Sequence, residues 1–203
     1  MTATVAGLQP VALPDPDRPD AGLILASLWH TEGPEQQQKV MSGVMDAWEE
    51  APLPAAYLAR HCLAGSDGRT ILNFAQWTSS DAHLAFAADP RNQQILGSAI
   101  QALYSADPPG RYAPHRFEGR HDGAARYFTA TWYDTEDAGT ARSLADELAE
   151  RDSADPASAV AVAEYFYVGE DGRQLLVLAG FEDEPGGASL CFRPFRGLAR
   201  SAR

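Results

Sequence analysis

The chain repeats itself. Residues 66–77 read SDGRTILNFAQW and residues 170–181 read EDGRQLLVLAGF, so an Asp-Gly-Arg turn and the apolar strand behind it occur twice. Upstream, SLWHTE around Trp29 is echoed by ATWYDTE around Trp132, which makes both tryptophans framework positions. In a 203-residue chain this repeat constrains the fold to two similar units of roughly 100 residues each. The copies are unequal. Asn73 faces Val177 and Trp77 faces Phe181, so one half keeps polar groups where the other is apolar. That asymmetry points to one working site and one structural partner.

Hydrophobic spacing places the elements. GLILASLWH over 22–30 is an apolar run of strand length. Gly33-Pro34 opens a helix, because proline is tolerated in the first turn and Glu35 suits the positive end. Val40, Met41, Val44, Ala47 and Trp48 then recur on one face, and Pro52 and Pro54 close the helix. A second strand is expected over 55–64, a turn at Ser66-Asp67-Gly68 and a third strand over 69–77. Ser79 and Ser80 offer N-caps for a helix through Ala88. Asp89-Pro90 resets the chain into another helical stretch with Ile95, Leu96, Ala99, Ile100 and Leu103 inward, followed by a fourth strand over 111–119.

Strand, helix, strand, strand, helix, strand is the ferredoxin-like α+β unit, an antiparallel sheet with helices on one face. The second copy has a strand over 125–133, a helix over 136–152 and a hairpin over 160–181. Its stretch EDEPGG over 182–187 is too short for a second helix, and a last strand is expected over 189–195. The expected organisation is a mobile Pro- and Asp-rich arm over 1–21, a first domain over 22–119, a degenerate second domain over 124–196 lacking one helix, and a basic tail over 197–203. The helix-free face of such a sheet needs a cover. The sister sheet supplies it, giving two tandem domains packed sheet to sheet as an internal pseudo-dimer; pairing of two chains stays open.

A formal charge of −12 argues against non-specific binding of nucleic acid or an anionic membrane. No apolar run approaches the ~20 residues of a membrane helix, and 1–20 lacks the pattern of a secretory signal, so a cytoplasmic location is expected. Cys62 and Cys191 imply no disulfide framework. Arginines at 193, 196, 200 and 203 leave two readings of the C-terminus, a solvated end or a partner-docking segment. Zinc, dinucleotide, P-loop and serine-hydrolase signatures are absent from the sequence.

Asn73, Ala75 and Trp77 alternate along one strand and so share a face. An unpaired buried amide costs about 1–3 kcal/mol, so an Asn in an apolar strand has either a partner or a task. The plain readings are core packing for Trp77 and an edge position for Asn73. His83 sits on a short helix. His30 and His61, near strand ends with Tyr57 and Arg60 close by, are candidates for a pocket mouth, while His115 and His121 form no arrangement.

The segment NFAQWTSSDAHLAF resembles the antibiotic biosynthesis monooxygenase family, whose ferredoxin-like domains pair as a dimeric α/β barrel. An Asn four residues before a Trp, followed by Ser, Ala and the downstream Phe86, is similar to the pattern of its anthrone-oxidising members. The resemblance covers 22–119 well and 125–195 in outline. It implies oxidation of a small aromatic polyketide phenol to a quinone by O2, with no flavin, haem or metal. Asn73, Trp77 and His83 would then be catalytic, and His30, Tyr57, His61 and Phe86 would bind substrate. His83 stands where the family has a tyrosine, and its imidazole can handle a proton near neutral pH. The family's haem-degrading members carry a histidine at the position held here by Ala87. Two other readings compete: a polyketide cyclase or other non-oxidative enzyme on the same scaffold, and a non-catalytic binding module.

Overall fold

The computed structural model describes residues 7–92, 102–119, 125–154, 161–186 and 190–201. Its first half contains β1 (Gln9–Val11), β2 (Leu23–His30), α1 (Pro34–Glu50), β3 (Tyr57–Gly65), β4 (Thr70–Trp77), α2 (Ser80–Ala88), β5 (Ser105–Ala106) and β6 (Gly110–Gly119). The second contains β7 (Tyr127–Asp134), α3 (Ala138–Ala154), β8 (Ala163–Gly169), β9 (Gln174–Phe181) and β10 (Phe192–Ala199).

The repeated turn is built the same way twice. Asp67 Oδ1 accepts from the backbone N–H of Arg69 at 2.9 Å and of Thr70 at 2.8 Å. Asp171 Oδ1 accepts from Arg173 N–H at 2.9 Å. Each turn needs a residue at positive φ, supplied by Gly68 (68°) and Gly172 (71°). Ser79 caps α2 by accepting from Ala82 N–H at 3.2 Å.

The eight longer strands close into an antiparallel barrel in the order β10-β3-β4-β2-β6-β8-β9-β7, with β7 meeting β10 again at Phe128 opposite Phe192. Each half supplies its four strands in the same order: second, third, first, fourth. The halves are joined by hydrogen-bonded edges, β6 to β8 and β10 to β3, as well as by packed faces. Closure leaves no unpaired strand edge among these eight, which an open sheet would present to solvent.

Alternation along each strand sorts side chains into two layers. Leu23, Leu25 and Trp29 face the helices, while Ile24 and Ala26 face the barrel interior. The interior is an aromatic and aliphatic cluster from both halves, including Phe74, Tyr112, Phe128, Tyr165, Tyr167 and Phe192. Outside it, α1 buries Val40, Met41, Val44, Met45 and Trp48 against the first half. The α3 helix buries Ala141, Ala145, Leu148 and Ala149 against Phe166, Val168, Leu175 and Val177. Among the described residues no helix follows β9.

Several expectations need correction. Residues 7–21, read from composition as a mobile arm, are built into the fold: β1 pairs with β10, and Pro16 and Arg18 are buried. Gln76 Nε2 donates to the carbonyl of Asp15 at 2.9 Å, and Tyr167 OH to that of Pro16 at 2.9 Å. Buried polar side chains of the barrel thus find acceptors in a segment whose composition suggests disorder. The last strand runs to Ala199, past the expected 189–195, because β3 offers it a full-length neighbour and Pro194 sits at a bulge. Residues 197–199 of the expected basic tail are accordingly part of the sheet. Arg196 pairs with Asp46 and Glu49, and Arg200 donates to the carbonyls of Leu53, Pro54 and Tyr57. The tryptophan echo is offset by one residue: Trp29 lies opposite Ile71, whereas Tyr133 lies opposite its counterpart Leu175. Trp29 therefore faces the helices, and Trp132 packs against the barrel-interior cluster, donating to Tyr112 OH at 3.0 Å. The helical stretch carrying Ile95, Leu96, Ala99 and Ile100 lies outside the described residues.

Candidate active site

A cleft of about 270 Å³ lies between the outer face of β2, β3 and β4 and the helices α1 and α2. Its floor includes the polar or small side chains of Ser27, Asn73 and Ala75. Asn73 sits in register between Ser27 on β2 and Cys62 on β3. The corresponding Val177 sits between Thr131 and Phe166, and Phe166 and Val177 pack against the alanines of α3.

The structure brings Asn73, Trp77, Tyr57, His83 and Phe86 to this one cleft. Asn73 is 6% exposed. Its Nδ2 donates to Ser27 Oγ at 3.3 Å, while Oδ1 has no partner among the described residues. Ser27 Oγ also accepts from Trp29 Nε1 at 3.0 Å. Because a hydroxyl both donates and accepts, turning the amide over would let Ser27 donate to Oδ1 and present N–H groups to a ligand. The Asn73 head can therefore offer an acceptor or donors at the same place.

Trp77 ends β4, and its ring is fixed edge-on to Tyr57, with centroids 4.8 Å apart, and packed against Phe86 at 5.3 Å. Its indole Nε1 is buried without a hydrogen-bond partner among the described residues, and so is the hydroxyl of Tyr57. Burial pushes the Tyr57 phenol up to about 12, against the pull of the nearby Arg60 guanidinium, so it is a protonated donor at neutral pH. Three residues that line one apolar cleft thus each carry a buried polar atom without a partner among the described residues, which marks the cleft as a candidate binding site.

His83 is half-buried, its ring 5.1 Å from that of Trp77. One nitrogen, Nδ1, lies 2.6 Å from Arg111 NH1. A guanidinium only donates, so the nitrogen facing it is an acceptor and the proton of the neutral ring sits on the other. Burial, helped by Arg111 and opposed by Glu170, lowers the His83 pKa below the ordinary histidine value. Arg111 is held in turn by Glu170 of the second half, Nε to Oε2 at 2.7 Å. His83 is thus presented as a neutral hydrogen-bond donor rather than a ready base.

Two proposed pocket residues lie elsewhere. His30 is exposed at the end of β2, 3.6 Å from Asp107. His61 falls one residue from Arg60, and strand alternation turns it to the opposite face, where it is 1% exposed. Its ring lies against Gly197, where any Cβ would collide with it, and burial with the Arg18 charge lowers its pKa to about 4. Residues missed from sequence include Ser27, Trp48 and Tyr104; Trp29, read as framework, also lines the cleft. Arg60, noted only as a neighbour, is a wall residue. The alternation of β2 could have revealed Ser27 and Trp29, but nothing local marks Tyr104. Among the described residues no group of three or more His, Cys, Asp or Glu is placed to hold a metal ion.

A closed antiparallel barrel with ferredoxin-type strand order and a cleft beneath its helices defines the fold class of this chain. No family model matches the chain, and no curated protein matches it. Among solved structures, an anthrone oxidase-like protein matches with a TM-score of 0.68 and 12% identity over 93% of this chain and 95% of its own. A candidate monooxygenase from Fusobacterium nucleatum gives 0.53 at 8% identity, covering 80% of this chain and 77% of its own. One from Lactobacillus acidophilus gives 0.52 at 7% identity, covering 87% and 95%. At these identities the likeness is one of fold.

Proposed function

We propose that the chain is a cofactor-independent monooxygenase that oxidises an anthrone-type aromatic polyketide to a quinone with O2. The observation that carries this reading is that Trp77, Tyr57 and Asn73 line one apolar cleft and each carry a buried polar atom without a partner among the described residues. We also read the chain as two tandem ferredoxin-like domains forming an intrachain dimeric α/β barrel, on the strength of the identical strand order in its halves. The second half then serves as the fixed partner. No described helix is long and apolar enough to cross a membrane.

The chemistry asks little of the protein. An anthrone's bridging CH2 is acidic because its carbanion delocalises into a phenolate. One electron passes from that anion to O2, the organic radical and superoxide combine to a peroxide, and loss of water leaves a carbonyl. The sum is CH2 plus O2 giving C=O plus H2O. Trp77 Nε1–H, Tyr57 OH and the Asn73 amide would donate to the developing oxyanion, and fixed donors in a dry site favour charge as it forms. His83 would donate a hydrogen bond from its proton-bearing nitrogen to the peroxide. The test is oxygen uptake with the simple anthrone dithranol. Trp77→Phe should lower the rate about 100-fold or more while the far-ultraviolet circular dichroism stays unchanged. A wild-type protein that binds dithranol without consuming oxygen would end the oxidative reading and leave the non-oxidative enzyme and the binding module.

A further inference from the structure

Arg60 enters the cleft from β3 between two indoles. Its guanidinium carbon lies 4.3 Å from the ring centroid of Trp48 and 5.4 Å from that of Trp29, and the residue is 6% exposed. Ring faces hold a guanidinium plane well but accept no hydrogen bond along its edge. Among the described residues Nε has no hydrogen-bond partner and no carboxylate pairs with this side chain. The undescribed stretch 93–101, QQILGSAIQ, contains no Asp or Glu and so brings no carboxylate.

Burying an ion costs several kcal/mol unless its charge is met. Here the described groups around the charge are two indole faces with the Tyr57 hydroxyl and the Cys62 thiol beside them, and no carboxylate, in a chain whose formal charge of −12 otherwise repels anions. The position is also specific to the open half: Arg60 lies opposite Ala75, and the corresponding residue opposite Ala179 is Glu164. Around it stand the unpartnered Tyr57 hydroxyl and Tyr104, which stacks on Trp29 with centroids 4.6 Å apart. A flat ring system slotted into this aromatic cleft would bring its rim to the guanidinium edge.

We propose that Arg60 sets specificity by binding an anionic oxygen, a carboxylate or an ionised phenol, on the rim of a flat aromatic substrate. This rests on reading the cleft as the substrate site and adds the charge of the ligand to that reading. Charge-assisted hydrogen bonds to a guanidinium exceed neutral ones by enough to be read as a preference of about tenfold or more.

The test compares anthraquinone-2-carboxylate with its neutral carboxamide, followed by quenching of tryptophan fluorescence at pH 7. A second arm follows 1,2-dihydroxyanthraquinone, whose visible band moves to the red when a phenol ionises. The wild-type protein should bind the carboxylate about tenfold or more tighter than the carboxamide, or ionise the bound dye at lower pH than in free solution. The first result identifies a carboxylate, the second a phenolate. Arg60→Gln should lose the preference, and Arg60→Lys should keep part of it. Equal binding of acid and amide together with an unshifted dye, or no binding of any probe, overturns the proposal from wild-type data alone, whatever the variants do. Oxygen uptake without charge preference would sink this inference and spare the oxidase reading; charge preference without uptake would do the reverse.

Discussion

Asn73→Val copies into the open half the residue that the filled half already carries, Val177. The buried Asn73 Oδ1 has no partner among the described residues, and an unsatisfied buried acceptor costs about 1–3 kcal/mol. The substitution removes that cost and gives up the Nδ2–Ser27 hydrogen bond, which at 3.3 Å is long and worth about 1 kcal/mol or less. Valine has room, because its side chain projects into the cleft. The net change is a gain of about 1 kcal/mol, which in a chain of this size raises Tm by about 2–4 °C. Activity should move the other way, with loss of one oxyanion contact lowering the rate by about 100- to 1,000-fold. Thermal denaturation by circular dichroism reads the first effect and oxygen uptake with dithranol the second. A folded variant with wild-type uptake would remove Asn73 from the site. Lost uptake with a lower Tm would show that Oδ1 is satisfied in solution and that the stability argument is wrong.

The pH dependence of stability should carry the signature of His61. It is neutral in the fold with a pKa near 4, while the unfolded chain takes a proton at about 6.5, so stability is complete above 6.5 and falls as pH drops towards 4. The full loss is about 3 kcal/mol, and urea titrations of His61→Gln should lack most of that slope; an identical slope would place the proton elsewhere. Deleting residues 1–17 strips Gln76 and Tyr167 of their backbone acceptors, and Tm should fall by several degrees. An unchanged Tm would mean that water replaces the arm at no cost. Arg111→Met removes the donor that fixes the His83 ring. The pKa of His83, followed by NMR, should rise because the opposing Arg111 charge is gone; an unchanged or lower value would show that the Arg111 charge does not hold it down.

The residues that write their role into local pattern were legible. The Asp-Gly-Arg turns demand a positive φ that glycine supplies, Ser79 stands where a helix needs a cap, and the two-residue alternation of NFAQW puts Asn73 and Trp77 on one face. The same rule, applied from Arg60, would have turned His61 away from the cleft. It was not decisive at sequence level because a bulge between Tyr57 and Ala59 shifts the phase of β3. Composition misled at both ends of the chain, since buried carbonyl and guanidinium partners are contributed by segments far away in sequence.

What the amino-acid order determined alone was the doubled strand-and-helix plan and the inequality of its halves, because both arise from neighbours a few residues apart. What tertiary structure decided was barrel closure through β6–β8 and β10–β3, the N-terminal segment against Gln76 and Tyr167, and Arg60 between two indoles. Those depend on long-range packing, where the free energy of a contact is set by what fills the space opposite, and no local spacing encodes that.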